Sequence, residues 1–249
     1  MKVNAAEFVY EPATEVSRAR RVLIKPSAAY PDPYPVATSR EILAAVIRGV
    51  RRISEADIIL LEGPAEGAHT RSVFRALGYD FPRVLSLDVR DCTLVEVENP
   101  LPKPYAMANF WIPNVLLSCD YLMSITPCVV LAGQGALSVA NLLGLLPKSK
   151  YGPEFSRERP AGSRIDLQGA IADLYFTVPF DLGMVDAKVK FEANDRGTEG
   201  TQEETGTVFL GEPYEVDCET AETLRIEAPY LRLIANARVE LEFPPDTLR

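Results

Sequence analysis

Six polar residues stand where apolar runs of this sequence end, Lys25, Ser27, Glu62, Asp88, Thr126 and Asp186, and Asn141 and Glu192 lie on segments able to fold over them. A lysine ammonium among carboxylates can hold an anionic group, and paired carboxylates shift one another's proton affinity for acid–base work. Carboxylate oxygens are also the ligands that hard divalent cations prefer, so Glu62 and Asp186 are the candidates for a divalent metal. Asn194 and Asp173 lie on segments able to fold over the same region. Plainer roles stay open beside these: Asp88 and Asp186 as turn or helix caps, Lys25 as a salt-bridge partner. The sole histidine, His69, sits in the loop Glu62-Gly-Pro-Ala-Glu-Gly-Ala-His-Thr70 and reads as a surface residue.

To converge, these residues need a scaffold that brings segment ends together. Arg21–Lys25, Asp57–Leu61, Arg83–Asp88, Tyr121–Ile125 and Gly183–Val185 are short apolar runs, with Val208–Leu210 a shorter one and Thr93–Glu98 alternating like a half-exposed edge strand. Between them lie helical patterns. Ile42, Leu43, Val46, Ile47, Val50 and Ile53 repeat at three- and four-residue steps behind Thr38-Ser-Arg-Glu41, which has capping-box spacing. Thr70 can cap a short helix ending at Gly78, and further helices are expected at about 134–145, 165–176, 214–225 and 229–238. Apolar strands alternating with amphipathic helices predict an α/β fold, with a mostly parallel central sheet, helices on both faces and three layers. The chain is read as one such domain over residues 1–249. Segments 148–163 and 194–206 read as mobile. In an open parallel sheet ligands bind at the carboxyl ends of strands, where these polar residues fall.

The stretch Val129–Pro147 sits inside the longest run without a charge. Spanning a membrane takes about 20 predominantly apolar residues, and here Gly133, Gln134, Gly135, Ser138 and Asn141 interrupt the run. Gly133-Gln-Gly135 with Ser138 resembles a dinucleotide turn, yet no acid follows at the expected distance and the tract there is polar. The reading adopted is a glycine-turned loop leading into a helix buried on nearly all sides, with Asn141 bonded to a neighbouring loop. Neither a G-x-S-x-G elbow nor a G-x-x-x-x-G-K-[ST] loop occurs, which argues against a serine hydrolase of that type and an ordinary nucleoside triphosphatase.

A net charge of −9 with a pI near 4.9 argues against nucleic acid or an anionic membrane as partner. Cys92, Cys119, Cys128 and Cys218 form no C-x-x-C pair, so no iron–sulfur cluster or zinc site is expected. With no apolar core of signal-peptide length near Met1, a cytoplasmic location is expected.

Several short motifs follow one another: Val22-Leu-Ile-Lys-Pro26, the Thr38 helix with the strand and Glu62-Gly-Pro64 after it, Asn141-Leu-Leu-Gly-Leu-Leu-Pro147, Ala170-Ile-Ala-Asp-Leu174, Val185-Asp186 with Glu192 and Asn194 beyond, and Pro229-Tyr-Leu231. In this order they resemble the Domain of Unknown Function 362 family. They span about residues 21–235. Relative to that family the chain diverges. Ser27 replaces the Asn of Lys-Pro-Asn, and Thr126-Pro-Cys-Val-Val130 replaces a Lys-Thr-His tract. Ala140 stands for a lysine and Gln168 for a histidine, and without a cluster-binding cysteine set no ferredoxin module is expected. Two functions follow. One is a small-molecule-binding protein or enzyme with a polar strand-end cleft, with or without a divalent metal. The other is a catalytically degenerate member acting through protein contact or as a homo-oligomer, with 103–111 as its interface.

Overall fold

The computed structural model describes residues 1–63, 68–155, 165–194 and 197–242. β1 (Lys2–Asn4) leads to β2 (Arg21–Pro26), in which every residue after Arg21 is buried. Val22 and Ile24 enter one apolar cluster and Leu23 another. A strand apolar on both faces belongs inside a sheet covered on both sides. α1 (Arg40–Ile53) lays Ile42, Leu43, Val46, Ile47 and Val50 against the first cluster. Its cap is Ser39, whose hydroxyl accepts from Ile42 N at 3.2 Å, not Thr38 as the capping-box spacing suggested. Thr38 is engaged elsewhere: its Oγ1 donates to Ile125 O and accepts from Ser27 N, at 2.8 Å each.

The remaining elements are β3 (Asp57–Glu62), α2 (Thr70–Ala76), β4 (Val84–Asp88), β5 (Leu94–Glu98), β6 (Asn109–Pro113), β7 (Tyr121–Leu131), β8 (Gln134–Ala136), α3 (Lys148–Tyr151), α4 (Leu167–Thr177), β9 (Leu182–Ala193), β10 (Gly200–Gly211), α5 (Pro213–Leu224) and α6 (Pro229–Glu242). The main sheet runs β1-β10-β9-β7-β2-β3-β4. β9, β7, β2, β3 and β4 are parallel; β10 and β1 add antiparallel to one side, and β8 pairs antiparallel with the far end of β7. α1 and α2 cover one face through the first cluster. α4, α5 and a 3-10 helix at Ala140–Leu145 cover the other. The α/β class, the mostly parallel sheet and the helices on both faces agree with the expectation.

Four segments differ from it. The expected helix at 134–145 is half strand. Ala132 and Gly133 both have positive φ, +48° and +79°, as a two-residue hairpin turn requires, and Gln134–Ala136 folds back on β7. Only Ala140–Leu145 then coils, as a 3-10 helix. Burial of Leu137, Val139, Leu142 and Leu145 is as expected for core. Second, 200–206 is the outer half of β10, a two-stranded ribbon with β9, and not a loop. Third, Leu94–Glu98 is the half-exposed edge strand expected, but among the described residues its partner is β6, in a small sheet separate from the main one. Fourth, Tyr151 lies in α3, so the start of 148–163 is helical, while 156–164 lies outside the described residues.

Candidate functional site

Lys25 and Glu62 meet. Both are buried, at 1% and 2% exposure, with Lys25 Nζ 2.8 Å from Glu62 Oε1 and 2.9 Å from Oε2. The carboxylate also accepts from Ala28 N at 2.7 Å and Gly63 N at 2.8 Å. Lys25 Nζ further donates to Pro26 O and, at 3.2 Å, to Asn141 Oδ1. The 3-10 helix passes directly over the pair. A Cβ on Gly144 would lie 2.9 Å from both Glu62 Oε1 and Lys25 Nζ, so the absent side chain is what lets the helix close the pair off.

From this pair hydrogen bonds run on through the molecule. Asn141 Nδ2 donates to Ser124 Oγ at 3.1 Å, and Ser124 Oγ donates to Ser138 O at 2.7 Å. Ser138 donates from N and Oγ to Asp217 Oδ1, while Val139 N and the Tyr230 hydroxyl donate to Oδ2. Asp217 is fully buried, and that burial pushes its carboxyl up to about 6 against the pull of the Ser138, Val139 and Tyr230 donors. Asp217 and Tyr230 lie on the amphipathic helices of the sequence, and no spacing signal marked their bond.

Asp186 stands apart. β9 is separated from β2 by β7, and Asp186 pairs with Pro127 where Lys25 pairs with Ser124. That offset is roughly 10 Å across the sheet and 10 Å along it. The two also turn to different layers: Lys25 to the 3-10 helix, Asp186 to the loop entering α1. Around Asp186 are Lys188, whose Nζ is 3.3 Å from Oδ2 and 3.3 Å from Ser39 Oγ, and the Tyr34 hydroxyl, 3.4 Å from Asp186 O. Lys188 Nζ lies 4.9 Å from the centre of the Tyr34 ring. Asp186 is wholly enclosed, and Oδ2 accepts no hydrogen bond. Burial raises its carboxyl above the ordinary aspartate range, with Lys188 opposing.

The other expected residues serve the scaffold. Asp88 Oδ2 accepts from Thr70 N and Oγ1, and Arg90 donates to both oxygens, so Asp88 caps α2 from a neighbouring strand. Burial opposes its ionisation, but the Arg90 and Thr70 donors outweigh it and hold the carboxyl at about 2. Thr70→Val is expected to lower stability by about 1–2 kcal/mol in urea denaturation, because Asp88 loses a buried donor. Thr126 is buried and donates to Pro127 O. Ser27 bonds to the sheet through its backbone N, which reaches Ile125 O. Glu192 is exposed on the β9–β10 ribbon beside Lys190. Asn194 Oδ1 accepts from Gly197 N at 3.0 Å, and Asp173 accepts from the backbone N–H groups of Tyr105, Ala106 and Met107. His69 is exposed, as read from the sequence. The segment 103–111 is less open than expected: Phe110 is buried, and Trp111 lies under Lys150 at 3.8 Å.

The Lys25–Asn141 node and the Asp186 rim therefore sit on segments whose order can be matched outside this molecule. A family model described as Domain of unknown function (DUF362) matches residues 22–222. The chain belongs to this family. No curated protein matches it in sequence. Among solved structures it is similar to the lactate racemase apoprotein from Thermoanaerobacterium thermosaccharolyticum, with a TM-score of 0.56 and 13% identity over 88% of this chain and 53% of that one. It thus spans about half of that neighbour's length, and the likeness is one of fold. In this DUF362 chain Gln168 lies in α4. Its side chain donates to Gln134 Oε1 and accepts from Tyr230 N. Ala140 is buried.

Proposed function

We propose that this chain is a cytoplasmic protein that binds a small polar molecule at the carboxyl-end rim of its parallel strands, with Asp186 and Lys188 meeting the ligand. One observation carries this: Asp186 is enclosed, yet its Oδ2 accepts no hydrogen bond and has the Lys188 ammonium at 3.3 Å. A buried acceptor left short of donors costs about 1–3 kcal/mol, which a ligand hydroxyl or amide would offset. Lys188 and Tyr34, both partly exposed, form the cover that such a ligand displaces. A hydroxyl for Asp186 and a carboxylate for Lys188 describe a small hydroxy acid, the chemical class named in the lactate racemase neighbour's title. The raised carboxyl suits proton exchange with that ligand.

A divalent cation is the second ligand class to test. Glu62 and Asp186 do not share one ion, because three strand spacings of roughly 5 Å separate them and oxygen ligands must approach within about 2.0–2.6 Å. Among the described residues no three His, Cys, Asp or Glu cluster around a common point. A second reading, a catalytically silent member acting through protein contact, is favoured by Ala140 and Gln168 standing in place of a lysine and a histidine.

Thermal unfolding against a panel of hydroxy acids, amino acids and divalent cations separates these. A ligand at 100 times its Kd adds about 2.7 kcal/mol, or roughly 5–10 °C for a chain of this size. The expected result is such a shift with a hydroxy acid, lost in Asp186→Asn while the ligand-free Tm holds. A panel without any shift supports the second reading; a shift retained in Asp186→Asn rejects the proposed location.

A further inference from the structure

β4 ends the sheet, and among the described residues it pairs only with β3. Its sequence, Val84-Leu-Ser-Leu-Asp88, is apolar and β-prone, yet Leu85 is 54% exposed and Ser86 is exposed. Sheet edges are usually blunted by lysine, proline or a bulge within the strand; none occurs here. The layer covering this face also stops short. Beside β3 and β4 lies a depression of about 730 Å³ whose lining includes Ile59, Leu85, Leu87, Val115, Arg51 and Arg83. Leu117, on the same 3-10 turn as Val115, is 66% exposed.

We propose that this edge pairs with the same edge of a second copy of the chain, antiparallel across a two-fold axis, continuing the sheet through a homodimer. The strand is complementary to itself in that arrangement. With Ser86 on the axis, Leu85 of each copy lies opposite Leu87 of the other on the uncovered face, so the exposed leucine gains an apolar neighbour twice over. The ends match in charge. Each strand starts at Arg83, 63% exposed, and ends at Asp88 with Asp91 exposed just beyond. Antiparallel pairing brings the basic start of one to the acidic end of the other. Within each copy Arg90 is paired with Asp88 and Arg83 with Glu55, so the acidic partner left for Arg83 of the other copy is the exposed Asp91. Parallel pairing would set Arg83 against Arg83 and lose the match.

Sedimentation velocity and light scattering on the full chain at micromolar to tens of micromolar concentration test this. The wild type is expected at twice the 27.4 kDa chain mass. Leu85→Asp is expected to weaken association at least tenfold and keep its cooperative melt, since the site is half open. Ser86→Cys supplies a check that does not depend on that variant folding. Facing Cα atoms in an antiparallel pair are about 4.5–5.5 Å apart, within disulfide reach. Mild oxidation should therefore give a covalent dimer beyond the wild-type background from Cys92, Cys119 and Cys218. A wild type that stays monomeric, a Leu85→Asp protein that stays dimeric, or no crosslinking specific to Ser86→Cys would each overturn the proposal.

Discussion

Lys25→Met, with Glu62 left in place, is expected to destabilise the protein by about 3–5 kcal/mol, because it strands a buried carboxylate without its cation. Lys25 and Glu62 are 1% and 2% exposed and sealed beneath Gly144, so water cannot readily replace the ammonium. Ala28 N and Gly63 N would still donate to Glu62, which keeps the loss finite. Lys25→Met combined with Glu62→Leu is expected to recover most of it, since a well-packed apolar pair often equals a buried ion pair in stability. Urea denaturation of the four proteins, analysed as a double-mutant cycle, measures both. A loss below about 1 kcal/mol for Lys25→Met would mean that solvent reaches the pair.

Asp217→Ala should be nearly as damaging. It removes the acceptor for Ser138 N, Ser138 Oγ, Val139 N and the Tyr230 hydroxyl, all in the core. At about 1–3 kcal/mol for each buried group left unsatisfied, with some relaxation, a loss of at least about 3 kcal/mol is expected. The same carboxyl sets a pH dependence. Its folded value of about 6 lies above the unfolded value of about 3.9. The native state therefore binds the proton more tightly, and this group's contribution to stability rises as pH falls from 7 through 6 toward 4. Asp88 acts in the opposite sense and lower down: held at about 2, it contributes above pH 4 and loses that contribution between about 4 and 2. Melting curves from pH 7 to 4 should show the Asp217 rise in the wild type and its loss in Asp217→Asn.

Elements with an internal apolar period were legible in the sequence. β2, β3 and the first half of β7 are apolar on both faces, and α1 repeats its leucines and isoleucines at helical spacing, so burial alone specified them. What escaped was structure held by pairing. Gly200–Gly206 has no buried face and is a strand because β9 supplies its ladder; Gln134–Ala136 is one because Ala132 and Gly133 turn the chain back onto β7. The site divided along the same line. Strand ends placed Lys25 and Glu62 together, since β2 and β3 are adjacent. Strand order is not written in the chain, so nothing there told that β7 would stand between β2 and β9 and hold Asp186 apart. Asp217 was invisible because a buried partner from another helix leaves no local period, and Pro229-Tyr-Leu231 marked Tyr230 without marking its bond to Asp217.

A crystal structure grown with whichever panel compound raises the Tm most bears directly on the strand-end binding account. The compound should lie with a donor about 3 Å from Asp186 Oδ2, its acidic group beside Lys188, and Tyr34 swung aside. Electron density for it anywhere else, with Lys188 still closed over Asp186, would contradict the account.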